Sequence, residues 1–147
     1  TIFDLLPDKY QKGFFPIGRL DYKSRGALLI TNDGDICYKL SHPKFEHKKT
    51  YLVKLDRQID NHSVDLWRSG VKLDGRNTFS CIVELASFDN HQTVLKIVMK
   101  EGRNRQIRRI ADHLGFRVLD LKRISFGDYY LRNLKEGEWR NLGKLPK

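Results

Sequence analysis

Gln92-Thr-Val-Leu-Lys-Ile-Val-Met-Lys-Glu-Gly-Arg-Asn-Arg-Gln-Ile-Arg-Arg-Ile-Ala-Asp-His-Leu-Gly115 changes its hydrophobic rhythm partway along. From Gln92 to Lys100 the run is rich in β-branched residues and reads as a strand. Beyond Glu101 and Gly102, residues Ile107, Ile110, Ala111 and Leu114 fall at i, i+3, i+4 and i+7. That spacing predicts a helix, opened at Arg103 or Asn104 and closed by Gly115. Upstream, Thr78 to Ser87 reads as a second strand, and Asp89-Asn90-His91 joins the two as a hairpin. A hairpin running into one isolated helix predicts an antiparallel sheet with a helix on its face.

The same reading extends in both directions. Ile2 to Leu6 predicts a short helical turn stopped by Pro7. Gly26 to Thr31 predicts a buried strand ended by the turn Asn32-Asp33-Gly34. Asp35 is expected to cap a short helix through about Leu40, closed before Pro43. Thr50 to Asp56 alternates as a strand. Asn61 or Ser63 is expected to cap a helix over Val64 to Arg68, with Gly70 as its stop. Val118, Leu119 and Leu121 begin another strand, and Trp139 and Leu142 are expected in a last one. The expected fold class is α+β, with a mixed, largely antiparallel sheet flanked by a few helices. The 147 residues fit one domain, 1–147.

Lys and Arg number 28 against 18 Asp and Glu, a formal charge of 28 − 18 = +10. That excess favours a polyanionic partner. No apolar run is long enough to span a bilayer, which points away from a membrane protein. Cys37 and Cys81 sit in apolar surroundings and read as buried free thiols of a reducing, cytoplasmic compartment. The histidines (His42, His47, His62, His91, His113) are scattered, so no metal site is expected. Nothing in the sequence calls for an obligate oligomer, and a monomer is expected.

Glu101 to Arg109 holds Arg103, Arg105, Arg108 and Arg109. A helix N-terminus carries partial positive charge and favours acids. Arginines crowded there need compensation, from an RNA phosphate or a buried carboxylate. A helical wheel turns Arg105 and Arg109 away from the apolar stripe and sets Arg108 on its shoulder. Arg108 is therefore the arginine best placed to reach a buried acid. A solvated basic face is the alternative.

Gly18 and Gly26 bracket a loop holding Arg19, Asp21, Lys23 and Arg25. Cations around one acid favour its ionised form. Asp also shapes turns, and spacing alone does not separate the two roles.

Gly18-Arg-Leu-Asp21 followed by Gly26-Ala-Leu-Leu-Ile-Thr-Asn-Asp-Gly34 resembles the catalytic-aspartate motif of RNA pseudouridine synthases. Lys49-Thr-Tyr-Leu-Val53 is similar to their second motif, K-x-Y-x-V. Glu101-Gly-Arg-Asn-Arg-Gln-Ile-Arg-Arg109 resembles the third. Leu121-Lys-Arg-Ile-Ser-Phe-Gly127 and Gly137-Glu-Trp-Arg140 resemble two further segments. The order is kept along nearly the whole chain, in the form seen in the ribosomal-RNA-modifying RsuA, RluB and RluE type. Lys23 and Ala27 depart from frequent family residues without touching the carboxylate. The family also tends to begin with a strand carrying Asn-Lys-Pro and a small RNA-binding module, neither of which is in this sequence.

The resemblance implies an isomerase that converts a uridine of ribosomal RNA, or of its assembly intermediate, to pseudouridine without a cofactor. It implies Asp21 as the catalytic carboxylate, Arg108 as its partner, and Tyr51 as the aromatic stacked on a flipped-out base. It implies Leu121 as an apolar contact to that base. Arg19, Arg25, Arg103, Arg105 and Arg109 are the expected phosphate contacts. The competing expectation is a noncatalytic RNA-binding ribosome-assembly factor on the same fold.

Overall fold

The computed structural model describes residues 1–103 and 105–144. After two short 3-10 turns come β1 (Phe15–Pro16), β2 (Arg25–Gly26), β3 (Ile30–Thr31) and α1 (Gly34–Ser41). Then follow β4 (Lys49–Leu55), α2 (Asn61–Ser69), β5 (Lys72–Leu73), β6 (Arg76–Asn77), β7 (Ile82–Phe88) and β8 (Thr93–Met99). The chain continues through α3 (Gln106–His113), β9 (Val118–Phe126) and β10 (Tyr129–Tyr130). The main sheet runs β10-β9-β4-β8-β7, all antiparallel, and β2 adds to β9 in parallel. The fold is thus α+β on a mixed, largely antiparallel sheet, as the hydrophobic rhythm predicts.

β4 lies at the centre. Its alternate residues Tyr51, Val53 and Leu55 share one face, because side chains alternate along a strand. On that face Val53 stands opposite Leu95 and Leu121, and Tyr51 opposite Ile97 and Arg123. Helices α2 and α3 cover it. Trp67 of α2 and Ile107, Ile110 and Ala111 of α3 join Val53, Leu55, Val83, Leu95 and Ile97 in one core. Each large apolar side chain buried there contributes about 1.5–3 kcal/mol. This packing fixes α3 across the sheet and so fixes where its arginines can reach.

Several boundaries differ from expectation, each for a local reason. The strand expected over Gly26 to Thr31 splits in two. Ala27 N bonds to Arg123 O at 2.8 Å, whereas Ile17 N bonds to Leu29 O, so the chain leaves β9 and turns to β1. Strand β7 starts at Ile82 rather than Thr78, because Thr78 is drawn to Val71: the Val71 N–H donates to its hydroxyl at 2.9 Å. The N-caps are Asp33 and Asp60, a residue or more before those expected, and both carboxylates accept from backbone N–H groups. Helix α3 opens at Gln106 behind Arg105, which is left-handed at φ 51°. Of its expected first residues, Arg103 precedes the helix and Asn104 lies outside the described residues. No strand includes Trp139 or Leu142; Trp139 instead packs edge-on against Tyr10 at 5.3 Å. Among the described residues the last strand is β10, folded back on Phe126 and Ser125.

Cys37 and Cys81 are free thiols, half-buried rather than buried. Burial, aided by the Glu101 carboxylate, pushes the Cys81 thiol up to about 11. Among the described residues no helix is long and apolar enough to cross a membrane.

Candidate active site

The Asp21 loop is anchored to β9 at its far end. β2 runs parallel to β9, with Arg25 beside Lys122 and Gly26 beside Arg123. Gly26 has φ +116°, and a Cβ there would fall on the Arg123 backbone carbonyl, so only glycine fits this close approach. Arg25 donates through Nε and Nη2 to the two Asp120 carboxylate oxygens at 2.9 and 2.7 Å. Glu136 lies 3.6 Å from the same guanidinium. The hydrogen bond from Arg25 holds the Asp120 carboxyl below the usual carboxylate range. Arg123 reaches back, donating from Nε to Ala27 O at 2.9 Å. Within the loop, Ser24 N donates to Asp21 O at 2.9 Å and forms a turn.

Helix α3 brings the counter-charge. Arg108 is mostly buried, and its Nε stands 4.0 Å from Asp21 Oδ2. Its Nη2 donates to Ser24 Oγ at 3.3 Å. A separation of 4.0 Å is an ion pair without a hydrogen bond. Arg108 Nε is accordingly buried without a hydrogen-bond partner. The Asp21 side chain is 28% exposed. The shoulder position read from the helical wheel and the structure agree on Arg108. Two residues 87 positions apart, by 108 − 21, meet at the mouth of the loop.

The other arginines divide. Arg103 donates to the carbonyls of Leu73 and Arg76 at 2.5 and 3.2 Å and is mostly buried. Arg109 pairs with Asp74 at 2.6 Å, and this hydrogen bond lowers the Asp74 pKa. Arg19 and Arg105 are exposed. The crowding that looked unfavourable is therefore relieved mainly by the protein's own groups: Asp21, the exposed Asp74 and backbone carbonyls. Glu101 is committed as well: it accepts from Phe79 N at 2.8 Å and Gln106 Nε2 at 2.9 Å.

Tyr51 is half-buried against the core, and Leu121 is buried beside Val53. Both lie on the sheet face that α3 covers. Three further residues join the neighbourhood without having been singled out from sequence. Ser24 holds Arg108. Tyr22, next to Asp21, is 97% exposed. Arg123 is buried on the Tyr51 face. Its signal was legible, since a charged residue stands in phase with Leu121 on an otherwise inward-facing strand.

A groove of about 480 Å³ runs along α3, lined by Arg105, Arg108, Arg109, His113 and Arg117 among others. A larger cleft of about 610 Å³ opens on the opposite sheet face, over Leu52, Lys122 and Ile124. Arg108 lines the first, and the alternation of side chains turns Leu52, which lines the second, away from Tyr51. Among the described residues no three of His, Cys, Asp or Glu stand close enough to share a metal ion.

A family model described as RNA pseudouridylate synthase matches residues 1–113. The ribosomal large subunit pseudouridine synthase B of Bacillus subtilis is 38% identical over 130 residues, 87% of this chain and 53% of its own. The dual-specificity RNA pseudouridine synthase RluF of Escherichia coli is 36% identical over 133 residues, 90% of this chain and 44% of its own. The chain thus spans about half the length of these relatives. A crystal structure of a pseudouridylate synthase superposes with a TM-score of 0.87 at 30% identity, covering 95% of this chain and 60% of that one. An archaeal box H/ACA Nop10–Cbf5 complex shares the fold more distantly, with a TM-score of 0.58 at 15% identity. With its aspartate loop and its α3 arginine both falling within the matched residues 1–113, this chain belongs to the RNA pseudouridylate synthase family.

Proposed function

We propose that this chain carries the catalytic centre of an RNA pseudouridine synthase acting on ribosomal RNA, with Asp21 as the catalytic carboxylate. The observation that supports this most is the Asp21–Arg108 pair, set 4.0 Å apart beside an open groove. The substrate class follows the relatives, whose names specify the large ribosomal subunit. The work belongs to the cytoplasm, where that RNA is made and assembled in a bacterium, and the chain acts as a monomer.

The reaction breaks the bond between uracil N1 and ribose C1′, turns the base and joins C1′ to C5. The C5 proton then leaves to water, and N1, which kept the electron pair of the broken bond, takes up a proton. Electrons balance within the nucleotide, so the chemistry asks for no redox cofactor. Asp21 supplies the carboxylate that meets the sugar or the base. Arg108 pairs with it and holds it in place. The target base leaves its stack to reach this centre, and Tyr51 stacks on it, worth about 1–3 kcal/mol. Leu121 closes the apolar wall behind it.

Phosphate binding falls first to Arg19 and Arg105, which are exposed, and next to Arg109 at the groove edge. Arg25 and Arg103 hold protein partners and support the site by fixing its walls.

The test uses ribosomal RNA labelled with tritium at uridine C5. An enzyme releases the label to water in stoichiometric amount with the site modified. Tight RNA binding without release would identify a noncatalytic assembly factor instead.

A further inference from the structure

Two cations on neighbouring strands, Lys49 of β4 and Arg123 of β9, have no anion within ion-pairing distance among the described residues. Arg123 is 3% exposed, yet its Nη2 has no hydrogen-bond partner. Lys49 lies next to it. The strand register sets Lys49 opposite Phe126 and Tyr51 opposite Arg123. Both cations address the same ring: the Arg123 guanidinium carbon is 5.1 Å from the Phe126 centroid and Lys49 Nζ is 5.6 Å. Neither makes an ion pair with any carboxylate among the described residues.

Like charges brought together out of water repel, and the repulsion is poorly screened. Burial, then the Arg123 cation, pushes the Lys49 ammonium below the usual lysine range. The backbone is shaped to admit that ammonium, since a Cβ on Gly102 would stand 2.8 Å from Lys49 Nζ. A charge held so closely beside another cation, with no internal partner, leaves an incoming anion much to gain.

We infer that Lys49 and Arg123 form an anion subsite that receives a phosphodiester oxygen of the bound RNA beside the target nucleotide. This rests on the RNA reading above. A uracil carbonyl does not suffice as the occupant, because a neutral acceptor leaves two positive charges facing each other. A phosphodiester brings a full negative charge and accepts charge-assisted hydrogen bonds. Lys49 is half-buried and makes the direct contact. Arg123 stands behind it, adding its field while its Nε holds Ala27 and so the end of the Asp21 loop.

Lys49→Gln is the informative substitution, with Gly102→Ala as the second variant that displaces the same ammonium. Without RNA, Lys49→Gln should melt a few degrees higher than wild type in chloride, because it removes a repulsion. Sulfate at matched ionic strength should raise the wild-type Tm more than that of Lys49→Gln. With ribosomal RNA, the slope of log Kd against log salt should shrink by about 0.7 for one lost phosphate contact. KM for label release should rise roughly tenfold with kcat within about threefold, and Lys49→Arg should restore both. A wild type that binds no ribosomal RNA overturns the RNA reading and this subsite together. A wild type that binds RNA while Lys49→Gln keeps its salt slope, or melts lower with an unchanged sulfate response, overturns the subsite alone.

Discussion

The arginine segment at the start of α3 and the sheet floor beneath it treat positive charge in opposite ways. Along residues 103–109 three of the arginines have protein partners: Arg103 has carbonyls and, at 4.0 Å, Glu101 and Asp74; Arg108 has Asp21; Arg109 has Asp74. On the floor, Lys49 and Arg123 are pressed together with no acid among the described residues. The segment is conspicuous in sequence and largely committed to structure. The floor is inconspicuous, and of the Arg123 guanidinium Nε is bonded to Ala27 O while Nη2 has no partner. Density of charge along a chain thus does not reveal which cations the protein already pairs; the partners found in the fold do.

The largest effect expected separates two adjacent arginines. Arg108→Leu should lower label release about a hundredfold or more, since the carboxylate loses its partner at the reacting centre. Arg109→Leu should cost only a few-fold, because its cation lies at the groove edge and is already paired with Asp74. Equal losses in single-turnover assays would erase the distinction between them.

Next in size is a stability contrast. Arg103→Ala strands carbonyls that Leu73 and Arg76 share with the guanidinium and should destabilise the fold by about 2–3 kcal/mol. Arg105→Ala, on the exposed side, should stay within about 0.5 kcal/mol. Urea unfolding of the two variants measures both.

A smaller effect concerns acid. Arg25 holds the Asp120 carboxyl below its usual range, so its contribution is present above the unfolded value of about 3.9 and is lost as pH falls through the folded value. Melting temperature should therefore fall on acidification below about pH 4. Asp120→Asn should start lower at neutral pH and show less of that fall. The smallest effect is chemical. With its thiol pushed up to about 11, Cys81 carries roughly a thousandth of its population as thiolate at pH 8. Alkylation there should be far slower in the folded chain than after denaturation.

Much of the fold was legible because β8 and α3 obey clean periods. Ile107, Ile110 and Ala111 lie in the core as the helical spacing required. The failures share a cause: side chains and backbone met partners distant in sequence. Gly26 to Thr31 reads as one strand until Arg123, nearly a hundred residues on, claims Ala27. Trp139 reads as a strand residue until Tyr10 supplies a ring. The site was legible only in part. Arg108 could be turned inward by geometry, yet Asp21 drew its role from family resemblance, as spacing could not set it apart from a turn residue. Arg123 was visible as a charge in phase with Leu121, but its meaning depends on β4, which brings Lys49 to its side.

The most direct measurement is single-turnover tritium release with excess protein, comparing wild type with Asp21→Asn while RNA binding is followed in parallel. Binding should stay within about twofold and release should fall to background, a loss of at least a thousandfold or about 4 kcal/mol in the barrier. Release by Asp21→Asn at the wild-type rate, with binding intact, would contradict the assignment of Asp21 and move the chemistry elsewhere in the groove.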